Sequence, residues 1–127
     1  MTIQSVVDFI HEQRRVRGAH RVCRNWNDGE LAASIQKAIS DNTFGWVTEG
    51  EKISGIAWGF KHEKEKVLDV TQVVCAGRRD LAHLMLLFSQ VYPDWTIRGY
   101  RPKKQENKLV DYKRTARFVH LTQLKAI

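Results

Sequence analysis

The stretch VLDVTQVVCAGRRDLAHLMLLFSQV, from Val67 to Val91, decides the fold. Its first nine residues, Val67–Cys75, are rich in Val and Leu and predict a strand. Ala76-Gly77-Arg78-Arg79 follows as a short loop, and Asp80 is placed to act as the N-cap of a helix. Leu81, Leu84, Met85, Phe88 and Val91 then recur at helical spacing over about three turns. Tyr92-Pro93-Asp94 stops that helix, because proline disfavours helical backbone in the residue before it. Trp95–Tyr100 is the next strand. A strand, helix, strand order predicts a right-handed crossover between two parallel strands.

Working upstream, Thr43–Glu49 and Ile53–Lys61 change the period to two and carry Trp46, Trp58 and Phe60. Glu49-Gly50-Glu51-Lys52 joins them as a hairpin. The charged run His62–Lys66 makes a second turn into Val67, so three antiparallel strands in meander order are expected. Two helices precede the meander. The first spans Ser5 to about Arg15, with Ser5 as N-cap, apolar Val6, Phe9 and Ile10 in step with Gln13, and Gly18 at its end. In the second, Asn27 and Glu30 form a capping box ahead of the stripe Leu31, Ile35, Ala38 and Ile39. Downstream, Pro102–Lys108 is expected to be a polar loop, and Leu109–Leu124 a terminal helix through Leu109, Tyr112, Ala116, Val119 and Leu124. The fold class is therefore α/β in the α+β sense. It has two N-terminal helices and one mixed sheet, in which an antiparallel meander leads into strand-helix-strand, within a single domain over 1–127.

Composition narrows the function. With 43% hydrophobic and 28% charged residues in a chain of 127, this is the make-up of a folded domain rather than a disordered tail. No apolar run approaches the roughly 20 residues needed to span a bilayer, so no membrane partner is expected. The first residues lack the basic and apolar pattern of a secretory leader. Cys23 and Cys75 form no CxxC pair, which argues against a disulfide scaffold or zinc finger and for a reducing compartment, the cytoplasm. His11, His20, His62, His83 and His120 show neither HxxxH nor HExxH spacing, so no metal site is expected. GxSxG, P-loop and Rossmann glycine patterns are missing too.

The net charge of +7 is uneven. Residues 1–27 hold five arginines against two acids, residues 28–97 seven basic residues against ten acids, and residues 98–127 nine basic residues against two acids. The sheet-bearing middle is mildly acidic and both ends are basic, which points the charge question at partners.

The order of elements and the loop Val73-Val74-Cys75-Ala76-Gly77-Arg78-Arg79-Asp80-Leu81-Ala82 resemble the GNAT N-acyltransferase superfamily over about residues 28–120. Ile97–Arg101 with Tyr112-Lys113-Arg114 is similar to small, divergent GNAT-like proteins of bacteriophages. A phage origin would place the protein in a host cytoplasm or a virion. In that family the loop after the central strand binds the pyrophosphate of an acyl-CoA through backbone N–H groups at a helix N-terminus. The resemblance implies acetyl-CoA or another acyl-CoA, without a metal, held by Val74, Cys75, Gly77, Arg78, Arg79 and Asp80. The family's loop is richer in glycine; here Arg78 and Arg79 would supply side-chain charge instead.

Acyl transfer to an amine also needs a base to take a proton from the ammonium and an acid for the leaving thiolate. The resemblance implies Glu49 or Asp69 as base and Tyr112 as acid, in a working N-acyltransferase or a descendant that has lost activity. Its amine acceptor is not written in the sequence. The basic ending supports a second expectation, a non-enzymatic module that binds nucleic acid or a virion protein on the same scaffold. Arg101, Lys103, Lys104, Lys113 and Arg114 would meet phosphates, with aromatic rings interleaved to stack on bases.

Overall fold

A computed structural model of the chain describes residues 1–19, 22–103 and 106–111. Among them are three helices and five strands: α1 (Ile3–Arg17), α2 (Asp28–Ser40), β1 (Phe44–Glu49), β2 (Lys52–His62), β3 (Val67–Cys75), α3 (Asp80–Val91), β4 (Thr96–Lys103) and β5 (Glu106–Asp111). The strands form one mixed sheet in the order β1-β2-β3-β4-β5. β3 and β4 run parallel and every other neighbouring pair is antiparallel. The meander and the strand-helix-strand unit thus stand where the sequence puts them. No helix among the described residues is long and apolar enough to cross a membrane.

Each helix starts and stops for a local reason. Thr2, not Ser5, caps α1; Ser5 is the third helical residue and returns a hydrogen bond to Thr2 in a capping box. Asn27 and Glu30 make the expected capping box on α2. That helix ends at Ser40, with Asp41 as its C-cap, and Thr43 N–H then donates back to the Ala38 carbonyl at 2.8 Å.

Alternating residues of β2 feed two cores. Ile56 and Trp58 join Val6, Ile10, Leu31 and Ile35 beneath α1 and α2, whereas Ala57 joins Leu84, Met85 and Phe88 beneath α3. Two irregularities break the alternation. In β1–β2 the partners step from Val47↔Gly55 to Thr48↔Ile53, which leaves Ser54 as the extra residue. In β2–β3 they step from Trp58↔Gln72 to Gly59↔Val70, which leaves Thr71 extra. The second bulge flips the phase of β3: Leu68 and Val70 pack toward α3 before it, Val73 and Cys75 after it, while Val74 turns to the α1–α2 side.

The C-terminal expectation needs correction. Residues expected to be a polar loop and the start of a helix form β5, which pairs with β4 from Arg98↔Asp111 to Lys103↔Glu106. Asn107 to Val110 carry no helical stripe of their own, and β4 offers them an edge to pair with. The remainder of the expected terminal helix lies outside the described residues.

Candidate functional site

The loop after β3 is tied to the bulged residue of β2. Ala76 N–H donates to the Ser54 carbonyl at 2.7 Å. The Ser54 hydroxyl donates to Asp80 Oδ1 at 3.1 Å, and Gly77 N–H donates to Asp80 Oδ2 at 2.7 Å. Asp80 is therefore not the N-cap expected from its position. It is the first helical residue, buried, with its carboxylate folded back to hold the loop. Arg79 stands at the N-cap and makes no side-chain cap, so the start of α3 is left uncapped. Arg78 and Arg79 are exposed. Gly77, Arg78, Arg79 and Asp80 share a cleft of about 360 Å³ with Glu49 from the β1–β2 hairpin and with His83. The fold thus gathers four of the six expected cofactor residues with one of the expected bases.

Val74 and Cys75 lie elsewhere. Val74 is buried beneath α1 and α2, and both line a second cleft of about 390 Å³ with Val16, Arg17, Val22 and Val73. Burial, helped by the nearby Asp80 carboxylate, pushes the Cys75 thiol up to about 12. Burial likewise pushes Cys23 up to about 11. Both thiols stay protonated near neutral pH and are poor nucleophiles.

The sheet opens beside this loop. β3 pairs with β4 only over Val67↔Thr96, Leu68↔Ile97, Asp69↔Arg98 and Val70↔Gly99. From Gln72 to Cys75 the same strand pairs with β2 from Trp58 to Gly55, and among the described residues no strand pairs with its other edge. Backbone polar groups along that edge are left for another partner.

Just below the divergence sits a three-membered polar cluster. Asp69 accepts from Arg98 Nε at 2.6 Å and from Arg98 Nη2 at 3.4 Å, and its Oδ2 lies 2.7 Å from His62 Nε2. The Arg98 guanidinium, with help from His62, holds the Asp69 carboxyl below the usual aspartate value despite an opposing effect of burial. A carboxylate so held is a weak proton acceptor. No group of three or more His, Cys, Asp or Glu side chains among the described residues is placed to hold a metal ion.

Comparison of the chain with protein-family models, with curated proteins and with solved structures finds no match.

Three further expectations fall differently. Tyr112, Lys104, Lys113 and Arg114 lie outside the described residues. Arg101 and Lys103 lie on β4, opposite Lys108 and Glu106 of β5. In the N-terminal basic cluster, Arg14 is committed internally. Its guanidinium donates to the carbonyls of Val22, Cys23 and Trp26 at 3.0, 2.8 and 2.9 Å.

His62 and Arg98 are not among the residues expected to carry acyl transfer. Arg98 requires the parallel register of β3 and β4, which sequence order alone does not fix. His62 had a usable signal. It ends β2 across a tight turn from β3, and its ladder position opposite Val67 makes Asp69 a diagonal neighbour.

Proposed function

We propose that the protein is a divergent GNAT-like acyl-CoA-binding domain that transfers an acyl group to an amine. The observation that carries this reading is the edge of β3 beyond its divergence from β4, with which no strand pairs among the described residues and which leads directly to the Arg78–Arg79 loop. A pantetheine arm carries amide N–H and C=O groups and can lie along such an edge as a short extra strand would. Cys75 stands six residues beyond Asp69 on β3, roughly 20 Å of extended backbone, which is close to the reach of that arm.

The diphosphate end would meet the uncapped start of α3 and the side chains of Arg78 and Arg79. Gly77 N–H is not available to it, since Asp80 already accepts that bond. Charge from two arginines replaces the backbone donors that a glycine-rich loop would offer. An acyl-CoA bound here supplies the thioester that the amine attacks.

Thermal unfolding with added acetyl-CoA tests the reading. A ligand that binds only the folded chain adds about 1.4 kcal/mol at ten times its Kd, a rise of roughly 5 °C in Tm for a domain of this size. Desulfo-CoA should give a similar rise and adenosine a smaller one. An unchanged Tm at millimolar acetyl-CoA rejects the reading.

A further inference from the structure

We infer that His62, oriented by Asp69, is the general base that takes the proton from the amine acceptor. This inference rests on the acyl-transfer reading above. Asp69 is poorly suited to the role itself, because both of its oxygens are engaged, one by Arg98 and the other by His62. A carboxylate only accepts hydrogen bonds, so the neutral imidazole carries its proton on Nε2 and keeps Nδ1 bare. The fixed ring therefore offers one defined acceptor nitrogen.

Placement agrees with that chemistry. Asp69 and Arg98 form the ladder pair immediately before Val70↔Gly99, the last one joining β3 to β4. The cluster lies at the other end of this β3 edge from Arg78 and Arg79. A thioester at the end of an arm anchored by those arginines would reach the Asp69↔Arg98 ladder pair, from which Asp69 leads across β3 to His62. The Asp69 side chain is 17% exposed and the His62 side chain 47% exposed, so the carboxylate is sheltered while the imidazole stays open to an incoming amine. Phe60, the ladder partner of Asp69, is 54% exposed and offers an apolar surface next to the cluster.

The step balances without a further reagent. Nδ1 of His62 takes one proton from the ammonium, giving imidazolium and a free amine. The amine nitrogen then bonds to the thioester carbonyl carbon as the carbon–sulfur bond breaks. The second nitrogen-bound proton leaves with the sulfur as thiol, and the imidazolium returns its proton to water. His62 is the catalytic residue in this scheme; Asp69 is a positioning residue, and Arg98 holds Asp69.

The test compares wild type with His62→Gln, Asp69→Asn and His11→Gln. His11 makes the same kind of contact, with Asp28 at 2.8 Å, but joins α1 to α2 and not β2 to β3. Acetyl-CoA stabilisation and acetyl transfer to spermidine, a peptide α-amine and an aminoglycoside are measured for each. Long-range ¹H–¹⁵N spectra of the His62 ring are recorded alongside. Expected are an equal acetyl-CoA-induced rise in Tm for wild type and His62→Gln, and a kcat lowered about a hundredfold or more by His62→Gln. His11→Gln should leave kcat unchanged. The neutral His62 ring should be the Nε2–H form in wild type and a mixture of both forms in Asp69→Asn. Acetyl-CoA stabilisation absent from wild type overturns the binding reading and this inference with it. Binding with His62→Gln retaining more than a third of kcat overturns the base assignment alone. An Nδ1–H ring in wild type, or binding without transfer to any of the three amines, also overturns that assignment.

Discussion

Gly59 and Asp69 are packed backbone to backbone: a β-carbon built on Gly59 would overlap the carbonyl oxygen of Asp69. The approach occurs at the bulge that leaves Thr71 without a partner, where β2 and β3 change register. The obstacle is backbone on both sides, so a rotamer change cannot relieve it. Gly59→Ala is therefore expected to lose at least about 4 kcal/mol, or to fail to fold. Gly29→Ala, near the start of α2, where an added β-carbon would meet only Asn27 Oδ1 at 3.4 Å, an ordinary contact, should be neutral or slightly stabilising. Urea unfolding of the pair checks the contrast. A Gly59→Ala protein within about 1 kcal/mol of wild type would show that the strands are not pressed together here.

Arg14 should behave as a structural residue although it sits in the basic N-terminal cluster. Its three donated bonds hold the turn from Val22 to Trp26, where Cys23 and Asn25 take positive φ values of 47° and 67°. Arg14→Ala removes donors from these carbonyls and should cost about 2–3 kcal/mol. Arg14→Lys should recover only part, because an ammonium cannot reproduce the planar fork. Arg15→Ala, which breaks an exposed contact to Glu12 one turn away, should cost far less than Arg14→Ala. Equal losses from Arg14→Ala and Arg15→Ala would contradict the assignment.

Legibility in the sequence followed the range of the interaction concerned. The α2 capping box involves residues three apart, and Asn27 with Glu30 announced it directly. The meander was legible because hairpin turns connect neighbours, and the parallel pairing because Asp80–Val91 intervenes between β3 and β4. Both bulges were hidden. Ser54 and Thr71 look like ordinary strand residues, and only the partner strand defines them as extra. The function of Asp80 was hidden for the same reason. A capping aspartate and one that reaches back to Gly77 N–H and across to Ser54 occupy nearly the same place in the chain. β5 was misread because its pairing partner, not its own pattern, makes it a strand.

Acid should reveal the ion pair at Asp69. Its carboxyl titrates below the ordinary value of 3.8 in the folded protein, held there first by Arg98 and then by His62. A folded-state value below the unfolded one means that the unfolded chain binds the proton first as the pH falls. The stability from this carboxylate is then fully present above the unfolded value, near pH 4. It is lost as the pH falls through the lower, folded value. Asp69→Asn has no such carboxyl and should be less stable than wild type at pH 7, by about 1–3 kcal/mol. The gap should narrow between pH 4 and pH 2. Urea midpoints measured across that range decide the matter, and a gap that is constant with pH would remove Asp69 as its source.

Asp80 links loop stability to anion binding with opposite signs. Its buried carboxylate accepts from Gly77 N–H and from the Ser54 hydroxyl, so Asp80→Ala should cost about 2–3 kcal/mol and loosen the start of α3. Asp80→Asn keeps the shape and one accepting oxygen, and Ser54 Oγ can accept from the new amide, so its cost should be nearer 1 kcal/mol. The same substitution removes a negative charge from the loop that carries Arg78 and Arg79. If the diphosphate of an acyl-CoA lies there, Asp80→Asn should bind acetyl-CoA more tightly than wild type, and Arg78→Ala with Arg79→Ala more weakly. Calorimetric titration at two salt concentrations checks both signs. Affinity unchanged by all three substitutions would place the anion away from the start of α3.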